Sequence, residues 1–357
     1  MFRLVMIGWL LSIVCHGAVA LAQTNGPKPA TAPQETMSAP TGSLSSLGVS
    51  TDALNALGSG SNAKFLTIHT GSTTGVYYFV GSSICKTLFG VYRERDLHCA
   101  PIRSRGTADN ISALSKNEAQ MAIIQPELSN FPGGSKPITN TFSVMSLHSE
   151  GAVMVIAPGT EIHSLADLKG KIVDLGKTEG STIDKLLGTV DLTRNDFRSV
   201  TLSSFESKAH AVCDHDIDAF VMWIGHPASG ISRLVDKCGA TVVGLWTPQA
   251  PDVLRTTPHL FRQEIPGNTY VGHTDPILTI GPRAILVARE SVDPDVVYAV
   301  TKSVFEGLDG FRSLHPALRT LAADVMVQQG NFLPFHPGAL RYYKERGWIP
   351  DQPPEQP

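Results

Sequence analysis

Beyond residue 63, short continuous apolar runs alternate with segments in which apolar residues recur at helical spacing. The first run is Phe65-Leu66-Thr67-Ile68, and the segment at 76–91 carries Val80, Ile84 and Leu88 on one face. The same alternation predicts further strands at 97–102, 121–124, 152–156, 171–175, 199–202, 217–223 and 241–245, and helices at 108–116, 164–170 and 227–237, with others beginning at 182 and 204. Repeated strand–helix units predict an α/β fold with parallel sheets and helices on both sheet faces.

The first 22 residues have a different pattern. Arg3 precedes an apolar run over 4–14, and the small residues that follow end in Ala20-Leu21-Ala22. This order is typical of a secretory signal peptide, so we expect cleavage after residue 22 and a mature protein in the periplasm. The run is shorter than the roughly 20 residues that span a bilayer. A lipid anchor on Cys15 is the less favoured alternative, because bulky Val14 precedes it where bacterial lipoproteins carry a small residue.

Composition divides the rest of the chain. Residues 23–62 are rich in Gln, Thr, Pro, Ser, Gly and Ala, and such a segment buries too little apolar surface to offset its chain entropy. We predict a flexible linker there and a flexible, Pro-rich tail at 349–357. The body at 64–348 is long enough for two lobes with separate cores. With a net charge of -3, the chain is not expected to bind nucleic acid.

Four of the five cysteines remain after signal cleavage, as two local pairs. Three connectivities are possible, and pairing of Cys85 with Cys99 and of Cys213 with Cys238 is the simplest in an oxidising compartment. Buried free thiols are the alternative interpretation.

Three strand-to-helix turns are rich in small polar residues: 70–78, 103–110 and 176–182. Ligands of open α/β sheets bind at the carboxyl ends of strands, where helix N-termini present N–H groups. The hydroxyl run in the first turn therefore suits an anionic group, although a capped loop without a ligand has the same composition. In the second turn, Arg105 is either a bidentate carboxylate ligand or a solvated surface residue. In the third, the hydroxyls suit capture, but Glu179 would repel a second carboxylate.

Enzyme motifs were not found in the sequence. It contains no G-x-S-x-G, no H-E-x-x-H and no G-x-x-x-x-G-K-[ST] segment. His210, Cys213 and His215 are close in sequence, but Cys213 is expected to pair with Cys238 rather than bind a metal. We therefore expect neither an enzyme nor a cofactor or metal ion.

Several segments resemble, in order, motifs of the TAXI-family solute receptors, the binding subunits of tripartite ATP-independent periplasmic (TRAP) transporters. The run TGSTTGVYYFVG at 70–81 is similar to the family's T-G-G-x-x-G-x-Y-Y-x-x-G opening, and IHSLADLKGK at 162–171 is similar to I-x-x-x-x-D-L-K-G-K. Further similar segments are SRGTADNI at 104–111, MAIIQ at 121–125, DIDAF at 216–220, GHP at 225–227 and FHPGALRYYKE at 335–345. Together they cover essentially all of 64–348.

The resemblance implies a type II periplasmic-binding-protein fold, in which two α/β lobes are hinged around a ligand cleft. Lobe 1 is expected at 64–150 and 280–348, and lobe 2 at 151–279. The implied function is capture of a small carboxylate or amino acid, of the glutamate, glutamine or 2-oxoglutarate class, and delivery to a TRAP-type membrane permease. By position, the implied ligand-binding residues are Ser72, Thr73, Thr74, Tyr77, Gly106, Thr107 and Gln125 in lobe 1, and Gly180, Ser181, Thr182 and Trp223 in lobe 2, where Trp223 is either an apolar wall or a core residue.

Two positions depart from the family pattern. Glu179 begins the segment that stands in place of G-S-G-T, and Arg105 occupies a position that is usually small. The hypothesis is that Arg105 holds a carboxylate while Glu179 faces an amino group or Arg105 itself, so that glutamate binds better than 2-oxoglutarate. An exported enzyme using the same cleft and a periplasmic ligand sensor are the alternative functions.

Overall fold

The structure is a computed structural model that describes residues 64–92, 97–126, 139–176, 182–202 and 204–350. The predicted signal peptide and linker lie outside these residues, as does the tail beyond residue 350. Ile349, which was assigned to the tail, packs partly buried against the core. In the described parts of the chain, no helix is both long enough and apolar enough to cross a membrane.

Eleven strands are described. They are β1 (Lys64–His69), β2 (Leu97–Ile102), β3 (Met121–Ile124), β4 (Thr141–Ile156), β5 (Ile172–Asp174), β6 (Arg198–Val200), β7 (Ala219–Gly225), β8 (Thr241–Gly244), β9 (Phe261–Ile265), β10 (Ile277–Gly281) and β11 (Arg283–Arg289). Nine of them form one sheet in the order β2-β1-β3-β11-β4-β7-β5-β6, with β8 also pairing with β4, while β9 and β10 form a separate antiparallel pair.

The helices lie mostly between strands, as predicted. They are α1 (Tyr77–Tyr92), α2 (Thr107–Ser115), α3 (Thr182–Gly188), α4 (Phe205–Cys213), α5 (Ser229–Cys238), α6 (Ala250–Arg255), α7 (Pro294–Glu306), α8 (Leu308–Ser313), α9 (Ala323–Gln328) and α10 (Pro337–Glu345), with short 3-10 helices at Leu165–Leu168, Arg194–Asp196 and Pro316–Leu318. The predicted N-caps are confirmed at Ser204, whose hydroxyl accepts the N–H of Ser207 at 3.1 Å, and at Ser164, whose N–H and hydroxyl both donate to the carboxylate of Asp167.

The α/β class is confirmed, and helices do cover both sheet faces. Met121 and Ile123 pack in one apolar cluster with residues of α1 and α7, whereas the alternate residues Ala122 and Ile124 pack in another. The strands β4 and β7 divide in the same way between two further clusters. The boundaries of two lobes within this sheet stay a prediction.

The expected purely parallel arrangement is wrong in the middle of the sheet. Strand β4 is 16 residues long and antiparallel to β11, β7 and β8. Its first part pairs with β11 up to Ser149, and its second part pairs with β7 from Glu150 onward. The central strand therefore runs from one part of the sheet into the other, and Glu150 lies at the change of partner.

Both expected disulfides are present. Cys85 and Cys99 tie α1 to β2, and Cys213 and Cys238 tie the ends of α4 and α5, with Cα–Cα distances of 5.1 and 5.7 Å.

Removing the first disulfide by the double change Cys85→Ser and Cys99→Ser is expected to lower the free energy of unfolding by about 3 kcal/mol. The reason is that the unfolded chain regains the conformational entropy that the cross-linked loop had removed. Urea unfolding of the oxidised proteins measures this loss, and the Cys213→Ser/Cys238→Ser variant is the matched comparison. Unchanged urea midpoints in both variants would contradict a stabilising role.

Candidate functional site

A cleft of about 710 Å³ lies at the carboxyl ends of several strands. On one side it is lined by the turns that lead from β1 to α1 and from β2 to α2. On the other it is lined by the turns after β5 and β6 and by the end of β7. The lining residues are Gly71, Ser72, Thr74, Gly75, Val76, Tyr77, Arg105, Gly106, Thr107, Gln125, Glu150, Gly176, Thr201, Leu202, Ser204, Phe205, Lys208, Met222, Trp223 and Ile224.

Three helix N-termini reach this cleft. Helices α1, α2 and α4 begin at Tyr77, Thr107 and Phe205, and all three residues line it. The first turn of a helix has N–H groups without partners inside the helix, and its dipole favours negative charge. Gly106 precedes α2 with φ 110°, a conformation that a residue with a side chain adopts only under strain. The geometry therefore favours an anionic ligand group.

The two sides of the cleft are bridged by hydrogen bonds. The carbonyl of Thr74 accepts the N–H of Gly230 at 3.0 Å, and the Ser229 hydroxyl donates to the carbonyl of Thr73 at 3.2 Å. Elsewhere the side-chain amide of Gln125 donates to the carbonyl of Trp223 at 3.4 Å. The first turn thus rests directly on the N-terminus of α5.

The structure brings together eight of the residues predicted for the site. They are Ser72, Thr74, Tyr77, Arg105, Gly106, Thr107, Gln125 and Trp223. Thr73 and Thr182 do not line the cleft; Thr73 is exposed and Thr182 is buried. Glu179, Gly180 and Ser181 lie outside the described residues, so their roles stay predictions.

Arg105 has a partner that the sequence hypothesis did not consider. Its guanidinium group donates from Nε and Nη2 to the two carboxylate oxygens of Asp109, both at 2.8 Å. The side chain of Arg105 is 90% exposed, so this pair within one helical turn adds little stability. The guanidinium lowers the pKa of Asp109 from its usual value by hydrogen bonding and charge. A ligand carboxylate would have to compete with Asp109 for the same fork.

Lys208 is a second cation at the cleft that the sequence analysis did not select. Its ammonium group lies 3.2 Å from the carboxylate of fully buried Asp174. The same carboxylate accepts the N–H groups of Gly176 at 2.7 Å and Leu202 at 2.9 Å. Asp174 therefore holds together two turns that line the cleft and anchors the lysine between them.

Glu150 is another cleft residue that sequence patterns did not identify. It is only 2% exposed, yet it lines the cleft, and the Tyr77 hydroxyl donates to its Oε2 at 3.1 Å. The side chain of Gln125 also hydrogen-bonds it, and the Tyr77 hydroxyl also hydrogen-bonds Thr107. Burial raises the pKa of Glu150 to about 8, although the hydrogen bonds from Gln125 and Tyr77 favour its ionised form.

His148 lies beside this carboxyl group on the same strand. Its Nε2 is 3.9 Å from Oε1 of Glu150, and neither ring nitrogen has a hydrogen-bond partner. Burial, with the nearby charge of Arg283, lowers the pKa of His148 to about 3. The ring is therefore neutral at physiological pH and supplies no countercharge to Glu150.

No cluster suited to a metal ion occurs in the part of the chain that the structure describes. The sulfur of Cys213 is bonded to Cys238, so it is not a free thiolate that could bind a metal ion together with His210 and His215. Beside apolar side chains such as Phe205 and Trp223, the cleft presents hydroxyls, amides and charged groups, which can bind a small polar molecule.

Solved structures of binding proteins have similar folds. The periplasmic aliphatic sulphonate binding protein SsuA from Escherichia coli is 15% identical, with a TM-score of 0.44 over 83% of this chain and 96% of that one. The "probable amino-acid ABC transporter extracellular-binding protein ytmK" of Bacillus subtilis is 13% identical, with a TM-score of 0.43 over 74% of this chain and 100% of that one.

A family comparison by sequence also matches most of the chain. The model of the NMT1-like family matches residues 68–347, which include every described residue that lines the cleft and both disulfides. The chain therefore belongs to the NMT1-like family.

Proposed function

We propose that the protein is an exported receptor that captures a small carboxylate or amino acid in the cleft and releases it unchanged. The observation that carries the proposal is the convergence of three helix N-termini on one cleft. A carboxylate placed there would meet backbone N–H groups and the hydroxyls of Ser72, Thr74 and Thr107. The contacts from Gly230 to Thr74 and from Gln125 to Trp223 support a closed state in which a ligand is shielded from solvent.

The second part of the proposal is delivery of the captured ligand to a membrane permease. The TAXI-type motifs support a TRAP-type permease as the partner. Of the two binding proteins compared above, one is named for aliphatic sulphonates and the other for an amino-acid ABC transporter. A receptor of either kind closes around its ligand, and the permease recognises the closed form. Co-purification of the tagged protein from native membranes, followed by identification of the permease bound to it, distinguishes the two transporter classes.

Thermal unfolding in the presence of single carboxylates, sulfonates and amino acids tests the capture step. A ligand that binds only the folded protein raises the unfolding temperature by mass action. Removing one hydroxyl from the cleft with Ser72→Ala is expected to lower the affinity for the identified ligand about tenfold, since a hydrogen bond to a charged group contributes about 1.5 kcal/mol.

Ser313→Ala is the matched control, because this exposed hydroxyl lies on α8 and bonds only within its own turn. Equal affinities of the two variants for the ligand would contradict the assignment of the cleft. Recovery of a chemically altered ligand after incubation would favour the enzyme alternative.

A further inference from the structure

If the cleft has the proposed function, the charge state of Glu150 affects which ligand it can bind. Glu150 is a carboxyl group inside a site whose helix N-termini favour an anion. An ionised Glu150 would place a second negative charge against such a ligand, from a side chain that is itself buried from water. A neutral Glu150 would not.

No cation compensates Glu150 among the described residues. Arg105 and Lys208, the two basic residues of the cleft, are engaged by Asp109 and Asp174. Arg283 is buried on β11, which pairs with β4, but its guanidinium donates to the hydroxyls of Ser146 and Ser149 and to the carbonyl of Leu147.

The groups packed around Glu150 are also uncharged. On its own strand His148 is a neutral ring, and on α1 the hydroxyl of Tyr77 stays protonated because burial raises its pKa well above the usual value. Gln125 follows β3, and the paired residue on β7 is Gly225, which has no side chain. Burial lowers the pKa of the next residue, His226, to about 4, so it too is neutral near pH 7.

We propose that Glu150 is the specificity-determining residue of the cleft: its neutral carboxyl group admits an anionic ligand, and capture requires the proton that this group carries. An ionised Glu150 repels the anionic ligand, so ionisation of this residue lowers the affinity. The preference that follows is for a simple anion over a zwitterion, which is opposite to the preference expected from Glu179 in the sequence.

Calorimetric titration with 2-oxoglutarate at about pH 7 and about pH 9 tests the proposal. The carboxylates of this probe are fully ionised at both values, so a change in affinity reports on the protein. With half-ionisation of Glu150 near pH 8, the dissociation constant is expected to rise about tenfold between the two conditions. In Glu150→Gln, which cannot ionise, the ratio of the two constants is expected to fall to about one.

Glu161→Gln is the matched control, since its carboxylate is 88% exposed and paired only with His163. This variant should keep the tenfold ratio. An affinity of the wild-type protein that is constant or rises with pH would overturn the proposal, and a rise would indicate that Glu150 receives a ligand ammonium group instead.

Infrared spectroscopy separates this proposal from the proposed function, because it needs no ligand. The difference between wild type and Glu150→Gln should contain the carbonyl band of a protonated carboxylic acid at about pH 6.5 and lose it by about pH 9.5. Absence of the band at the lower value would overturn the proposal whatever the cleft binds. Presence of the band, without binding of 2-oxoglutarate at either pH, would instead count against this carboxylate as the ligand.

Discussion

Gly281→Ala is expected to lower the free energy of unfolding by about 3 kcal/mol, one of the largest effects of any single methyl group in this protein. Gly281 ends β10, and a Cβ atom there would overlap the carbonyl oxygen of Glu150. Both backbones are buried, and the N–H of Glu150 also donates to the carbonyl of Pro282 at 2.9 Å. Neither strand can therefore retreat without breaking the contact between them.

Any backbone shift that relieves this overlap would also displace Glu150. We therefore expect the variant to bind its ligand more weakly as well. Urea unfolding followed by circular dichroism gives the stability change from the midpoint, provided the slope with denaturant is unchanged.

Gly90→Ala is the matched control for this substitution. Gly90 lies near the end of α1, and among the described residues an added Cβ meets no atom within 4 Å. Alanine in a helix is more stable than glycine by about 0.5–1 kcal/mol, so this variant should be slightly stabilised. A loss of less than 1 kcal/mol in Gly281→Ala would mean that the crossing strands separate more easily than the close contact indicates.

Asp174→Asn is expected to lower the free energy of unfolding by about 3 kcal/mol, because it leaves the ammonium group of Lys208 in a mostly buried position without its countercharge. Asp174 is fully buried, and Lys208 is 15% exposed. The amide must also replace a carboxylate that accepts from both Gly176 and Leu202. Since these residues line the cleft, ligand affinity should fall together with stability.

Two further variants test the cause of that loss. Asp191→Asn makes the same chemical change at an exposed residue with φ 56°, where asparagine is well tolerated, and should be neutral. Adding Lys208→Met to Asp174→Asn removes the unpaired charge and should recover part of the stability. A double variant that is less stable than Asp174→Asn alone would show that the lost hydrogen bonds, and not the buried charge, dominate.

The Glu150 and Asp174 tests address different sides of the cleft. Asp174 fixes two turns in place, so its loss should change affinity at every pH. Glu150 changes its charge near pH 8, so its effect should depend on pH. Measuring both variants with one ligand therefore separates positioning of the cleft from selection of ligand charge.

Much of the fold was predictable because its signals are local. Apolar runs identified most strands, and the helix that begins at Phe205 was recognised from its cap, Ser204. Strand β4 was only partly found, since Ser143, Ser146, His148 and Glu150 interrupt its apolar pattern although all four are buried. Their burial depends on sheets and helices packed on both sides, which no local pattern contains.

The sequence by itself determined the α/β class, the local cysteine pairs and the turns that could meet a ligand, because each depends on neighbouring residues or on the rule that ligands bind at strand ends. Only the tertiary structure decided which polar groups stand together. Tyr77 and Glu150 are 73 residues apart in sequence, and Lys208 meets Asp174 through the packing of α4 beside β5. The raised pKa of Glu150 is a property of its buried surroundings, because burial, and not residue type, sets the free-energy cost of ionising a carboxyl group.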